Sequence, residues 1–437
     1  MNYSDALEYL DSLTNYEKEK SFDYPESLNL ERMRRLAKAF GNPQNAYPSI
    51  LIAGSKGKGS VALILSSILR MENLKTGLYT SPHLADVRER IQVNGLLITQ
   101  GRLAEYLSQL EKMLDDYSWR KDPPTYFEVL TVIAFSYFKE MKVQAAVLEV
   151  GLGGLYDSTN IVEAKVVGIT PISLEHTDKL GKTISKIAVQ KCGVIKGREY
   201  VVSAPQTREA EHVISQAVEA HEGKFFMLGR DIRFFDRGYG EDFQKFDVRT
   251  PLGNYFDLTL HLLGEHQMEN AAQAIALAGG FQEKTRIKIS DSAVKQGVLD
   301  ARWPGRLEKI AEHPRVILDG AHNVDSMRRL LSGLNRHFHF SRLIVVFGLS
   351  EDKDLEGIAE ELLSEADIVF ATEFGHARSL PAEKIAAAME NSGKEIWVKK
   401  NLEQALSAAR KEAREDDLVL VTGSLYLAAR SRQAVGV

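Results

Sequence analysis

A glycine-rich segment, Gly54-Ser55-Lys56-Gly57-Lys58-Gly59-Ser60, contains the residues best suited to chemistry. It follows an apolar run at 50–53 and precedes a helix-forming run at 61–65. Glycines let backbone N–H groups approach a phosphate, and a helix N-terminus adds unpaired donors and a positive dipole end. Lys58 can reach outer phosphates, and the Ser60 hydroxyl can face a nucleotide-bound Mg²⁺. We predict a phosphate-binding loop, although a glycine separates the lysine from the serine, unlike the common motif; the alternative is a glycine-rich surface turn.

Three further residues of the first 300 have side chains suited to metal or acid–base chemistry. Glu149 ends an apolar run, where a carboxylate can hold Mg²⁺ or be merely solvated. His176 follows a strand and a turn, and a lone histidine is usually structural or exposed. Lys191 sits in an apolar helix. Local sequence favours a lysine that extends to water over a buried amine able to add CO₂ as a carbamate.

The last third of the chain offers a second polar group. Arg306 can neutralise phosphate charge that grows in a transition state. Asp319, in Asp319-Gly320-Ala321-His322-Asn323, can bind ribose hydroxyls from a strand end. The alternatives, a surface arginine and a turn-forming Asp-Gly pair, stay open at this point.

Strand and helix patterns alternate after residue 300. Five apolar runs predict strands, at 316–318, 343–347, 368–370, 395–398 and 418–421. Five amphipathic runs predict helices, at 324–338, 355–365, 381–389, 402–415 and 425–432. Such alternation implies right-handed crossovers and a mainly parallel sheet covered on both faces.

The first 300 residues have the same character with insertions. The predicted helices are 3–13, 30–40, 100–117, 125–140, 184–195 and 268–279, and the predicted strands are 76–79, 145–150, 166–170 and 200–203. Hairpins are predicted around Asn94-Gly95 and across 246–260. We therefore expect an α/β protein with a P-loop-type N-terminal domain (1–300) and a smaller Rossmann-like C-terminal domain (301–437). In such sheets ligands bind at the carboxyl ends of strands, where Glu149, His176 and Asp319 fall.

Composition excludes several classes of protein. A length of 437 residues exceeds the roughly 250–300 at which single cores stop growing, so two domains are expected. A net charge of −5 gives no global signal for nucleic acid or acidic membrane. No apolar stretch reaches the ~18 residues of a membrane span, and no secretory signal is visible. The single cysteine, Cys192, excludes an intramolecular disulfide. We expect a cytoplasmic monomer.

Taken together and in order, the motifs resemble the Mur ligase superfamily and, within it, the folylpolyglutamate synthase and dihydrofolate synthase family. The resemblance covers nearly the whole chain. Its motifs are Gly54–Ser60, Thr80-Ser81-Pro82-His83-Leu84, Thr125-Tyr126-Phe127-Glu128, Leu148–Asn160, Glu175-His176-Thr177-Asp178, Leu180-Gly181, Gln190-Lys191, His266-Gln267-Met268-Glu269-Asn270, Trp303-Pro304-Gly305-Arg306-Leu307-Glu308, Asp319–Asn323 and Thr422-Gly423-Ser424-Leu425-Tyr426. The Ser-Pro-His-Leu and Trp-Pro-Gly-Arg-Leu-Glu segments distinguish this family from the peptidoglycan ligases.

The resemblance implies an ATP-dependent ligase that phosphorylates the terminal carboxylate of a folate and joins the acyl group to the amine of L-glutamate. Residue by residue it implies Mg²⁺ ligands at Ser81, Glu149 and His176; ATP contacts at Gly57, Lys58, Gly59, Ser60, Asn270, Arg306 and Asp319; a carbamylated Lys191; His322 near the incoming glutamate; and a pteroate pocket bordered by Phe127, Glu128, Tyr156 and Asp157. Lys58, Lys191 and His322 are the implied catalytic residues. A monovalent cation is a further implied ion.

The chain departs from the usual bacterial pattern of the family. Lys56 replaces an asparagine, Leu155-Tyr156 replaces an Arg-Leu pair, and Glu175 replaces an aspartate. The first two changes resemble the eukaryotic polyglutamylating branch. Loss of the arginine removes a bidentate partner for a pterin or carboxylate, which favours tetrahydrofolates over dihydropteroate. The alternatives are a dihydrofolate synthase, a P-loop phosphotransferase or ATPase, and a non-catalytic folate-binding protein.

Overall fold

The computed structural model describes residues 1–435 except 20, 21, 23, 25, 26, 115–118, 120, 376 and 377. It contains two large sheets covered by helices on both faces and a small antiparallel sheet. The predicted α/β class, with a mainly parallel sheet in each part, is confirmed. No helix in the described part of the chain is long and apolar enough to cross a membrane.

The first large sheet has eight strands in the order β4-β3-β2-β5-β1-β6-β7-β8. They are β1 Ser49–Ala53, β2 Thr76–Tyr79, β3 Ile91–Val93, β4 Leu96–Leu97, β5 Ala145–Glu149, β6 Ala164–Ile169, β7 Tyr200–Ser203 and β8 Lys224–Met227. Neighbours are parallel except where β3 pairs with β2 and β4. Strands β1, β5 and β7 are buried throughout, as expected for a sheet covered on both faces.

Ten helices surround this sheet in the described residues. They are α1 Tyr3–Ser12, α2 Leu30–Ala39, α3 Lys58–Met71, α4 Gln100–Leu114, α5 Tyr126–Glu140, α6 Thr177–Leu180, α7 Ile184–Cys192, α8 Arg208–Ala220, α9 Glu265–Thr285 and α10 Asp291–Asp300. Thr125 begins α5 with a capping box, in which its side chain accepts from the Glu128 N–H and the Glu128 carboxylate accepts from the Thr125 N–H. The predicted helix at 184–195 ends earlier, at Cys192, whereas the one at 268–279 is longer in both directions. Residues 115–117 of the predicted helix 100–117 lie outside the described residues.

The small sheet lies between the two large sheets in chain order. Its strands β9 Arg233–Tyr239, β10 Gln244–Thr250 and β11 Gly253–Leu260 are antiparallel, in the order β11-β10-β9. The predicted hairpin across 246–260 is confirmed as β10 and β11. Strand β9 was not predicted, because its side chains are mostly charged or exposed and carry no apolar alternation.

The second large sheet has six strands in the order β12-β13-β17-β14-β15-β16. They are β12 Glu308–Glu312, β13 Arg315–Leu318, β14 Leu343–Phe347, β15 Ile368–Thr372, β16 Glu395–Lys399 and β17 Leu418–Thr422, alternating with helices α11 Val324–His337, α12 Leu355–Leu363, α13 Ala382–Met389, α14 Leu402–Glu412 and α15 Leu425–Val435. All five predicted strands and all five predicted helices are present. Only β12, an antiparallel edge strand with partly exposed side chains, was not predicted.

Candidate active site

A cavity of about 660 Å³ lies between the two large sheets. Strand ends from both sheets contribute to it, as do the loops that follow them. Of the residues predicted from the sequence, its lining includes Gly57, Lys58, Gly59, Ser60, Ser81, Glu149, Asn270, Arg306, Asp319 and His322. The structure therefore unites the phosphate-loop group with the polar group of the last third of the chain, although more than 240 residues separate Ser60 from Arg306.

The glycine-rich segment is the turn between β1 and α3. Gly57 is the N-cap of α3 and has φ +83°, a conformation that side chains strain to adopt. A Cβ atom at Gly57 would lie 2.6 Å from Oδ1 of Asn270, so the glycine also permits the asparagine to approach. The Lys58 ammonium donates to the carbonyls of Gly54 (3.2 Å) and Ser55 (3.4 Å). A strand, a glycine turn and a helix N-terminus are the context that a phosphate loop requires, and the binding of phosphate by this loop stays a prediction.

Glu149 is the last residue of β5 and is 5% exposed. Its Oε2 accepts from the Ser81 backbone N–H at 3.0 Å. Burial raises the pKa of Glu149, and the charges of Lys58 and Arg306 oppose that rise. The described residues hold no group of three His, Cys, Asp or Glu side chains that could bind a metal. Mg²⁺ usually takes one or two protein ligands and completes its coordination shell with phosphate and water oxygens. The buried Glu149 carboxylate and the Ser81 hydroxyl, beside the glycine-rich loop, therefore fit Mg²⁺.

His176 does not line the cavity. It is the N-cap of the one-turn helix α6, with φ +46°. Burial lowers the pKa of His176 against the opposing charge of Glu175, and the charges of Lys191 and Lys58 lower it further. The role of His176 as a metal ligand stays a prediction.

Lys191 is buried, 1% exposed, so the reading of a lysine that extends to water is wrong. Its ammonium donates to the Gly54 carbonyl (2.7 Å) and to Oε1 of Glu175 (2.9 Å). Burial lowers the pKa of Lys191 to about 8, against the opposing charge of Glu175. Burial alone would raise the pKa of Glu175, but Lys191 and Lys58 outweigh it and bring that pKa to about 2. Lys191 thus ties α7 to the first glycine of the phosphate loop.

Asp319 and His322 follow β13 at the opposite wall of the cavity. The Asp319 carboxylate accepts from the N–H groups of Leu307 (2.9 Å) and Ala321 (2.8 Å), so the side chain is buried rather than part of a surface turn. Burial raises the pKa of Asp319, and Arg306 opposes the rise. Nδ1 of His322 lies 2.7 Å from the Gly320 carbonyl, and burial lowers the pKa of His322 to about 4. Because a carbonyl only accepts, Nδ1 carries the proton and Nε2 is a lone-pair acceptor.

The four residues of the predicted pteroate pocket do not line this cavity. They lie at the start of α5 and in the loop after β5. A Cβ atom at Gly151 would lie 2.7 Å from the Phe127 ring, and Oδ2 of Asp157 accepts from the Leu152 N–H at 2.9 Å. Glu128 is paired with the Arg32 guanidinium at 2.7 Å. The Tyr156 ring packs edge-on against the ring of Tyr24, with centroids 5.7 Å apart. Their part in substrate binding stays a prediction.

The cavity also contains residues to which the sequence assigned no role. His83, His266, Glu269, Trp303 and Arg329 are among them. The Trp303 ring is 3.2 Å from where a Cβ of Gly59 would stand, so it limits the space above the loop. Burial lowers the pKa of His266 to about 4. Four of these five residues lie inside motifs already noted, so their position next to an assigned residue could have indicated that they belong to the site. Arg329, one helix turn after α11 begins, lies in no such motif, and no sequence pattern indicated it.

Comparison with known proteins covers both parts of the chain. The family model for the Mur ligase middle domain matches residues 52–278. The model for the Mur ligase glutamate ligase domain matches residues 305–425. The two matches include the phosphate loop and the Arg306–His322 region, respectively.

Individual relatives are similar over nearly their whole length. The dihydrofolate synthase/folylpolyglutamate synthase of Bacillus subtilis is 34% identical over 91% of this chain and 92% of its own. The solved structure of Mycobacterium tuberculosis folylpolyglutamate synthase with ADP has a TM-score of 0.90 and 31% identity, covering 100% of this chain and 98% of that one. A folylpolyglutamate synthase complex with AMPPCP and folate has a TM-score of 0.85 and 29% identity, covering 100% of both chains.

Proposed function

This chain belongs to the folylpolyglutamate synthase and dihydrofolate synthase family of ATP-dependent Mur ligases, and from that membership we propose that it joins L-glutamate to the terminal carboxylate of a tetrahydrofolate. One observation carries the proposal. A single cavity is lined by the phosphate-loop residues that follow β1 and by three residues of the last third of the chain, Arg306, Asp319 and His322. A ligase that activates an acid with ATP and then joins it to an amine needs one cavity that binds the nucleotide, the acid and the amine.

The first step transfers the γ-phosphoryl group of ATP to a carboxylate oxygen of the folate, which gives ADP and an acyl phosphate. The N–H groups of the phosphate loop and the Lys58 ammonium bind the phosphates. Arg306, on the facing wall, offsets charge that develops on the transferring group. Mg²⁺, when bound, would be held by Glu149 and Ser81, with His176 as the predicted third ligand, and would supply further charge neutralisation.

In the second step, the amine of L-glutamate attacks the acyl carbon, an amide forms and inorganic phosphate leaves. The attacking amine must lose protons, because ammonium is not a nucleophile. His322 can accept a hydrogen bond from the uncharged amine and orient it, since its neutral ring holds a proton on Nδ1 and keeps Nε2 as an acceptor. Buried surroundings that keep the imidazole neutral preserve that acceptor at physiological pH.

Lys191 supports the loop in this proposal through its bonds to Gly54 and Glu175. The lowered pKa leaves a fraction of uncharged amine near neutral pH, which is the form that adds CO₂. Carbamylation of Lys191 stays a prediction, and native mass measurement of the intact protein in bicarbonate buffer tests it as an added mass of one CO₂.

The test of the function is an assay with MgATP, L-glutamate and reduced folates, followed by mass analysis of the folate. We expect ADP, phosphate and a folate one glutamate longer, with ADP release dependent on both glutamate and folate. Phosphate release that ignores glutamate would instead indicate an ATPase or phosphotransferase. No elongation of any reduced folate would reject the proposal.

A second candidate is the synthesis of dihydrofolate from dihydropteroate and L-glutamate. The Bacillus subtilis relative is named for both activities, which supports this candidate equally. Leu155-Tyr156, in place of an Arg-Leu pair, is the feature that argues for tetrahydrofolates. Dihydropteroate in the same assay separates the two, since a dihydrofolate synthase would consume it and a strictly elongating enzyme would not.

A further inference from the structure

The segment between β2 and β3 contains a polar chain that leads from the protein surface to the cavity. Arg90 is 1% exposed, and its Nη1 and Nη2 donate to the two carboxylate oxygens of Glu17 at 2.7 and 2.6 Å. Its Nε donates to Nδ1 of His83 at 2.9 Å. His83 lines the cavity. One buried guanidinium thus connects a carboxylate of the N-terminal segment to a histidine of the candidate site.

The hairpin geometry explains why these residues meet. Tyr79 pairs with Ile91 across β2 and β3, and the Thr80 N–H donates to the Arg90 carbonyl at 3.1 Å. The intervening turn is held by Glu89, whose carboxylate accepts from three successive backbone N–H groups at 2.6–2.9 Å. The turn is therefore ordered by its own contacts. His83 and Arg90 are placed by the same hairpin rather than by flexible side chains alone.

The hydrogen bond to Arg90 determines which ring nitrogen of His83 carries the proton. An arginine Nε–H is always a donor, so Nδ1 of His83 must offer its lone pair. The neutral ring then carries its proton on Nε2. Among the described residues Nε2 has no hydrogen-bond partner. His83 therefore has an N–H available at the cavity, whereas His322 on the other wall keeps a lone pair there.

The surroundings of His83 suit an organic acid more than a phosphate. Pro82, Leu84 and Ala85, which flank His83 in the chain, line the cavity with apolar side chains, and Glu89 and Gln92 of the same segment line it with polar ones. The phosphate-binding groups, by contrast, are clustered at the glycine-rich loop. An N–H donor beside apolar side chains, in a segment whose Glu89 carboxylate is already occupied by three backbone N–H groups, matches a carboxylate on an otherwise apolar body.

We propose that Glu17 and Arg90 act as positioning residues that fix His83 in its Nε2–H form, and that this N–H binds a carboxylate oxygen of the acid substrate. The inference rests on the proposed function for the identity of that acid. It assigns His83 to substrate contact, and Arg90 and Glu17 to orientation of the ring.

The tautomer of His83 is tested by NMR of the wild-type protein labelled with ¹⁵N at its histidines. Comparison with the His83→Gln variant identifies the His83 signals. We expect a pyridine-type nitrogen at Nδ1 and a pyrrole-type nitrogen at Nε2. Arg90→Lys should shift this pattern toward a mixture, because one lysine nitrogen cannot replace the separate donors that serve Glu17 and His83. The matched control is Arg88→Lys, two residues away, whose arginine pairs with Asp86 and does not touch His83. A pyrrole-type Nδ1 in the wild type overturns the positioning role.

The substrate contact is tested by calorimetry with tetrahydrofolate in the presence of AMPPCP. His83→Leu should weaken folate binding by about tenfold to a hundredfold, the loss expected for a hydrogen bond to a charged group, whereas His83→Gln, which keeps an N–H at a similar distance, should retain most of the affinity. AMPPCP affinity should not change. Weaker AMPPCP binding with unchanged folate affinity would overturn the assignment to the acid. Failure of the proposed function would give a different result: the wild-type protein would bind no folate in calorimetry, while NMR would still show the predicted His83 tautomer.

Discussion

At the scale of single residues, the site depends on which groups are buried together. Lys191 shows this most clearly, because its local sequence favours a solvent-exposed ammonium and its place in the fold is a buried ion pair with Glu175. Asp319 likewise is a buried acceptor for two backbone N–H groups. Lys58 differs from both, since its contacts are two carbonyls of its own loop. It is therefore a group whose removal should affect ligands more than folding.

We predict that Lys58→Ala lowers kcat/KM at least about a hundredfold, because a cation that offsets developing phosphate charge is lost. Thermal unfolding should change little, as no ion pair or core contact is removed. Turnover measured by ADP release and unfolding followed by circular dichroism check the two parts. Lys38→Ala, an exposed lysine in the last turn of α2, is the control and should alter neither. Retained turnover in Lys58→Ala would count against the phosphate role.

At the scale of elements, an ion pair connects the starts of two neighbouring strands, β14 and β17. Asp417 precedes β17 and is 2% exposed at its side chain. Its Oδ2 accepts from Arg342, just before β14, at 2.7 Å, and from the Arg414 N–H at 2.9 Å. Strands β14 and β17 are neighbours in the second sheet, and β17 leads to the cavity residue Leu425. The pair therefore stabilises the starts of two central strands.

We predict that Asp417→Asn lowers the free energy of unfolding by about 1–2 kcal/mol at neutral pH. Burial acts to raise the pKa of Asp417, but hydrogen bonds from Arg342 and Arg414 outweigh it and lower the pKa below 3.8. A carboxyl whose folded pKa is depressed stabilises the fold above its unfolded pKa, and that contribution is lost as the pH falls through the folded pKa. The difference between wild type and variant should thus be constant from pH 5 to 8 and shrink below about pH 4.

Denaturant unfolding across this pH range measures the Asp417 effect. Glu412→Gln removes the other, half-exposed partner of Arg342 and should change stability little at any pH. A difference that grows as the pH falls would contradict the assignment.

At the scale of the whole molecule, contacts between the two large sheets decide whether the cavity exists. Lys56 of the phosphate loop forms an ion pair with Asp325 in the first turn of α11. The loop after β9 of the small sheet also contacts α11, since the Gly240 carbonyl lies 2.8 Å from Nδ1 of His337. Lys56 stands where the resemblance implies an asparagine, and in this structure its partner lies in the second part of the chain. The domain division at residue 300, after α10, stays a prediction.

We predict that Lys56→Asp raises the KM for ATP several-fold, because like charges then meet where the phosphate loop contacts α11, and that Lys56→Asp combined with Asp325→Lys restores most of the loss. Global stability should change little, since both side chains are partly exposed. Steady-state kinetics on the two single variants and the double variant measure the coupling. The control is the same exchange at Arg328 and Glu361, a neighbouring pair within the second sheet's helices. Strict additivity of the two Lys56 and Asp325 effects would exclude a functional contact.

The sequence alone determined the local elements and the chemistry of the motifs. Apolar periodicity specified the strands of the second sheet, and the glycine-rich segment between a strand and a helix specified the phosphate loop, because both are properties of short stretches of chain. Strand β9 and the edge strand β12 lack apolar alternation and were not predictable in that way. Only the tertiary structure decided that Arg306 and Lys58 line one cavity, that Lys191 is buried against Gly54 and Glu175, and that Arg90 donates to the ring of His83. Those contacts join residues that are distant in the sequence or that a turn brings together. Which side chains are buried, and which partners they meet, depends on tertiary packing that no local sequence pattern encodes.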